Sequence, residues 1–148
     1  MKPYKGAGIA LFKKTADDYA FLLGKRTNRP GIGKWSIFSG QRDSSDKTSF
    51  DKAKREFKEE SLLSIESLNA KQVGECHIRL PFFIWDTFLY EVGAEFDIPS
   101  NYCYEFSDMR FISLKDLKKY KLAFGVKKEV KTFRQVLNPT GRQNVHYK

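Results

Sequence analysis

Apolar and polar positions change period several times along the chain, and those changes mark out its elements. Gly6 to Phe12 and Tyr19 to Lys25 are strand-length apolar runs, joined by the polar turn Lys13-Lys14-Thr15-Ala16-Asp17-Asp18. Arg26 to Gly33 is rich in backbone-permissive residues and reads as a loop. Trp35-Ser36-Ile37-Phe38 reads as one short strand ending at Ser39-Gly40, and the polar stretch Gln41 to Lys47 leads into a helix. Thr48, with Asp51 three residues on, supplies an N-terminal capping signal for a helix over roughly 50–61. Beyond Leu63, Ala70 to Glu75 and Cys76 to Leu80 precede a strongly apolar run from Phe82 to Val92. That run is a central strand, long enough to accommodate a kink near Asp86. Gly93 to Asn101 is loop and Met109 to Ile112 a strand. Ser113 to Tyr120 opens as a capped short helix. In 125–137, Val126, Val130, Phe133 and Leu137 fall at helical spacing. The order of elements predicts an α/β (α+β) fold: a mixed sheet with helices packed on it. It forms one domain over 1–148, with its core at about 6–137 and a polar tail at 138–148.

The helix at 50–61 carries the unusual chemistry. At about 100° per residue, Glu56, Glu59 and Glu60 share one arc, with Arg55 at its edge. Phe50, Ala53 and Phe57 occupy the adjoining, core-facing arc, while Asp51, Lys54 and Lys58 lie on the far side. Like charges at these spacings repel by a few tenths of a kcal/mol. A hard divalent cation with oxygen ligands offsets that repulsion; the bland reading is a solvated face paired with Lys52 or Lys58.

Composition narrows the setting. The 148 residues carry 27 basic and 18 acidic side chains, a net charge of +9 that favours anionic partners. No apolar run is long enough to span a membrane, and the N-terminal run ending at Lys13-Lys14 reads as a strand rather than a signal peptide. Cys76 and Cys103 are too few for a disulfide framework or a metal motif and read as buried free thiols, consistent with a cytoplasmic protein. His77 reads as a packed or surface histidine and His146 as solvated. The eight basic residues between Lys115 and Arg134 read as a solvated surface, with RNA contact as the functional alternative. Trp35, Phe82, Phe83, Trp85 and Tyr104 are mostly core candidates, one of which can serve as a base-stacking ring.

Gly40, a polar loop, Arg55-Glu56-Phe57-Lys58-Glu59-Glu60 and then Leu63 resemble the box of the Nudix hydrolases. Trp35 ahead of Gly40, Lys25-Arg26 at a strand end and Glu105 ahead of Phe111 also sit where that family has comparable features. The box is divergent. Its loop is one residue longer than the family pattern, so the loop glutamate falls on Asp46 or Lys47. Ser39 replaces the first Gly of a pair, and Leu62 the Gly after the helix. In the family the loop acid supports the box arginine, a role that Asp46 can take with shorter reach.

The resemblance implies a Nudix-like α/β/α sandwich and a Mg²⁺-dependent (alternatively Mn²⁺-dependent) pyrophosphohydrolase. Such an enzyme cleaves a nucleoside diphosphate linked to another group by attack of water on phosphorus. Glu56 and Glu60 are then the expected direct ligands, with the carbonyl near Gly40. Glu59 is a further ligand or acts through coordinated water. Arg55 orients a glutamate, Glu105 is the general base or an additional ligand, and Arg26 contacts phosphate. The alternative is a module of the same fold that binds nucleotide or RNA without efficient catalysis. Pro81 lies near, but not at, the position expected for an ADP-ribose-type proline, so the substrate stays open here, as does the oligomeric state.

Overall fold

A computed structural model describes residues 4–29, 31–41, 46–98 and 106–138. Strand β1 (Tyr4–Lys14) is the axis of the fold. It runs parallel to β6 (Phe83–Val92), from Tyr4 opposite Phe83 to Lys13 opposite Val92. On its other side, its C-terminal end pairs antiparallel with β2 (Tyr19–Arg26), and Gly6–Ile9 pair antiparallel with β4 (Phe38–Gln41). Strands β3 (Trp35–Ser36) and β7 (Phe106–Ser113) both pair with β2, and β5 (Lys71–Leu80) closes the far edge against β6. The path β3-β2-β1-β6-β5 is a mixed sheet.

Alternation along β1 sends successive side chains to opposite faces, and both faces are covered. Ala7, Ile9 and Leu11 pack with Phe38, Ala53, Phe57 and Phe88 beneath helix α1 (Ser49–Ser61). Ala10 and Phe12 pack with Phe21, Leu23, Leu89, Val126 and Phe133 beneath α2 (Val126–Leu137). The result is the expected sheet sandwiched between helices.

Several local expectations need correction. The run Trp35 to Phe38 is two strands, because Trp35–Ser36 extends β2 while Phe38 onward crosses to the edge of β1 that β2 leaves open. Strand β6 passes Asp86 without a kink. The buried Asp86 carboxylate accepts from Arg79 Nη2 at 2.7 Å and lies 2.6 Å from His77 Nδ1. The stretch at 71–80 is a single strand with an irregularity between Gln72 and Gly74. Ser113 makes no capping bond to the 3-10 helix Leu114–Lys119. In α2, Leu137 is 41% exposed, and Val136 instead leans on Gly74, where a Cβ would stand 2.7 Å from its Cγ2. Cys76 is a buried free thiol as expected, and burial raises its pKa; Cys103 and His146 lie outside the described residues.

Helix α1 begins as its sequence predicts, Asp51 N donating to Thr48 Oγ1 at 3.0 Å. It ends on Leu62 in the left-handed region (φ 64°, ψ 18°), its N–H donating to Lys58 O. A side chain there costs about 1 kcal/mol relative to glycine, and Leu62 is 56% exposed, so little packing offsets it. Leu62→Gly is therefore expected to stabilise the fold by roughly 0.5–1 kcal/mol in urea denaturation; a lower midpoint would show that the leucine's packing outweighs its backbone strain.

Candidate active site

The pairing of β4 with β1 presents Ser39 and Gly40 to the C-terminal half of α1. Glu60 is 1% exposed, and its Oε1 accepts the Ser39 N–H at 2.9 Å. One turn earlier, the Glu56 carboxylate lies against Gly40, where a Cβ would stand 2.4 Å from Glu56 Cδ. Glycine is required there because any side chain would occupy the carboxylate's place. Two acids one turn apart thus converge on one short strand, and Phe57 between them is fully buried below.

Cations surround the acids. Lys52 is 3% exposed and donates from Nζ to Glu56 Oε2 at 2.8 Å, an ion pair drawn into the interior rather than set on a solvated face. Arg55 grips Asp46 with two bonds, Nε to Oδ1 at 3.0 Å and Nη2 to Oδ2 at 2.9 Å. Of the two positions open for the loop acid, the structure selects Asp46. Arg55 Nη1 also lies 3.4 Å from Glu56 Oε2 and from Glu59. Arg55 therefore contacts three acids, Asp46, Glu56 and Glu59.

Among the described residues, no three acidic, histidine or cysteine side chains stand together as a finished cation cage. Lys52 and Arg55 hold Glu56, the Ser39 amide holds Glu60, and Glu59 is 56% exposed beside Arg55. The donor set nevertheless suits a hard divalent ion: carboxylates one turn apart, with the Gly40 backbone free of side-chain bulk against them. Glu105 and Tyr104 lie outside the described residues.

Ser39, Gly40, Lys52, Arg55, Glu56 and Glu59 line a cleft of about 840 Å³, with Glu60 buried behind Ser39. Arg26 and Lys34 line the same cleft. Tyr4 lines it too, its hydroxyl pKa raised by burial, with Arg26 lowering it and Glu56 raising it. Aromatic rings form part of the lining: Tyr4, Phe83 and Trp85 lie nearly parallel, with centroids 5.5–6.2 Å apart. Gly6 makes this possible, since a Cβ there would meet the Trp85 ring at 2.6 Å. Of the other aromatic candidates, Trp35 is buried in the core and Phe82 is exposed. Much of the basic stretch is engaged locally: Lys115 pairs with Asp17, Lys119 with Asp116 and Arg134 with Asp18.

Glu129 is a buried acid that the sequence reading did not single out. It lies within the basic stretch between Lys115 and Arg134, yet it is 2% exposed and lines the cleft. Its spacing from Val126 and Phe133 puts it on the apolar stripe of α2, and that spacing was the available signal. Thr87 Oγ1 donates to Glu129 Oε2 and itself receives the Trp85 Nε1 proton at 3.0 Å. Burial raises the Glu129 carboxyl to about 8, although bonds from Thr87 and Trp85 pull the other way.

The native state therefore keeps a proton that the unfolded chain, with an ordinary value of 4.5, releases. This contribution is fully present below pH 4.5 and is lost as pH rises through 8, by up to about 1.4 kcal/mol per unit. Between pH 5 and pH 8 the protein should lose up to about 3 kcal/mol relative to Glu129→Gln, measured from urea midpoints. Parallel pH profiles for the two proteins would contradict a neutral Glu129.

No family model and no curated protein matches the sequence. The structure, however, is similar to several solved ones. Against the NUDIX domain of Shewanella oneidensis NrtR complexed with ADP ribose, the TM-score is 0.70 at 19% identity, covering 93% of this chain and 90% of that one. A C. elegans Ap4A hydrolase binary complex gives 0.70 at 19% identity, over 90% and 97% of the two chains. A bifunctional NMN adenylyltransferase/ADP ribose pyrophosphatase from Francisella tularensis, complexed with AMP and a Mn ion, gives 0.73 at 19% identity, over 91% of this chain and 42% of that one. With both faces of the sheet covered and the box residues brought to its edge, the chain has the Nudix fold.

Proposed function

We propose that this protein is a divalent-metal-dependent hydrolase of nucleoside diphosphate derivatives. The observation that carries the reading is the juxtaposition of Glu56 and Glu60 on Ser39-Gly40, beside a cleft that Arg26 and Lys34 also line. Structures of the same fold hold ADP ribose in one case and AMP with a Mn ion in another, which supports a nucleotide and a divalent ion here.

Glu56, Glu60 and the Gly40 carbonyl would hold the ion, with Glu59 as a further ligand. A bound Mg²⁺ or Mn²⁺ supplies neutralisation of the diphosphate and a site for an activated water. The chain's own residues do the rest. Arg55, fixed by Asp46, holds Glu56 and Glu59 in orientation, while Arg26 and Lys34 draw the diphosphate along the cleft and offset its charge. The part-buried Ser39–Glu60 bond would hold one ligand in place. Glu105 remains the proposed base or additional ligand.

A Mg²⁺- or Mn²⁺-supplemented panel of nucleoside triphosphates, nucleotide sugars, ADP-ribose and dinucleoside polyphosphates tests the reading. Turnover of at least one is expected, falling about a hundredfold or more in Glu60→Gln and in Glu56→Gln. Nucleotide binding with no turnover on any substrate would leave a binding module in place of an enzyme.

A further inference from the structure

Lys52 is the one cation buried among the described residues. It is 3% exposed near the start of α1, and its ammonium donates to Glu56 Oε2 at 2.8 Å. A lysine is drawn this far from water only when an opposite charge meets it. Among the described residues its acidic partner is Glu56 alone, one turn along the same helix. That bond occupies one of three ammonium protons, and the residue lines the cleft.

The same carboxylate lies against Gly40 and is the one that the hydrolase reading gives to a divalent ion. Two cations on one carboxylate repel each other, so an ion on Glu56 weakens the lysine's pair, and the lysine weakens the ion's hold. Arg55 does not face that choice. Its guanidinium is anchored on Asp46 by two bonds and only skirts Glu56 at 3.4 Å. Arg55 therefore keeps a partner when Glu56 turns to a metal, whereas Lys52 loses its acid. The lysine's flexible four-carbon stem lets the ammonium move into the cleft whose wall it already forms. A diphosphate held there beside Arg26 and Lys34 offers it the anion that Glu56 no longer supplies.

From this arrangement we infer that Lys52 is the resident counterion of the metal site, exchanged for the divalent ion on loading. In the metal-free protein it neutralises Glu56 and lets the site fold before any ion arrives. On loading, its ammonium leaves Glu56 for the cleft. This role rests on the divalent-ion reading above and adds that Lys52 lowers the site's affinity for its ion. Lys52 is a positioning residue here, acting through Glu56. A lysine that merely supported a metal ligand would have the opposite effect, since removing such support weakens metal binding about tenfold or more.

Mn²⁺ titrations of the parent and of Lys52→Met, followed by the electron paramagnetic resonance signal of free Mn²⁺, separate the two signs. Lys52→Met keeps an apolar stem and removes the charge, and it should bind Mn²⁺ about tenfold or more tighter than the parent. Because this variant strips a partly buried acid of its partner and can fail to fold, a second measurement uses the parent alone. Under acetic anhydride labelling read by mass spectrometry, Lys52 should react about threefold or more faster at saturating Mg²⁺ than without it. The exposed Lys118 serves as the control and should not change. Mn²⁺ affinity that is unchanged or weaker in a folded Lys52→Met, or a Lys52 labelling rate that Mg²⁺ leaves unchanged, would overturn the inference. No saturable Mn²⁺ binding in parent and variant alike would instead sink the divalent-ion reading, and the counterion role with it.

Discussion

The close approach of α1 to β4 is the constraint on which the rest of the site depends. A helix can set two carboxylates on a strand only where the strand offers a free N–H and no side chain. Ser39 offers the first to Glu60, and Gly40 meets the second for Glu56. The approach is fixed by burial on both sides: Phe57 below the helix packs against Phe38 at the start of the strand. A sheet register that moved β4 by one residue would present a different amide to Glu60 and put a Cβ where the Glu56 carboxylate lies.

Charge balance explains why such a cluster survives in the fold before any ligand arrives. Burying Glu60 and half-burying Glu56 would be unfavourable alone, and the structure answers each with a donor. Lys52 reaches Glu56 from within the helix. Arg55 is shared among Asp46, Glu56 and Glu59, which makes it a positional clamp more than a partner of any one of them. The shorter acid in the loop suffices because Asp46 is itself buried close to the arginine, so a two-pronged grip forms without the extra methylene.

Where local sequence and tertiary packing agree, the sequence was legible. The Thr48 cap, the Glu-bearing face of α1, the strand over Gly6 to Phe12 and the mixed-sheet architecture follow from period and capping chemistry alone. Legibility failed where a partner elsewhere in the chain decided the outcome. The break at Ile37 depends on which edge of β1 is open, and the straightness of β6 at Asp86 depends on His77 and Arg79 in the neighbouring strand. Glu129 was not legible because it is an acid on the otherwise apolar stripe of α2. The interior accepts it through Thr87 and Trp85, whose roles no local pattern reveals.

The central claim is that Glu56 and Glu60, set on Ser39-Gly40, form a hard-cation site. The direct measurement is a Mn²⁺ titration of the unliganded protein followed by the electron paramagnetic resonance signal of free Mn²⁺. A saturable site is expected, whose affinity drops about tenfold or more in Glu56→Gln and in Glu60→Gln, with both variants folded as the parent. Mn²⁺ affinity unchanged by both substitutions would contradict it.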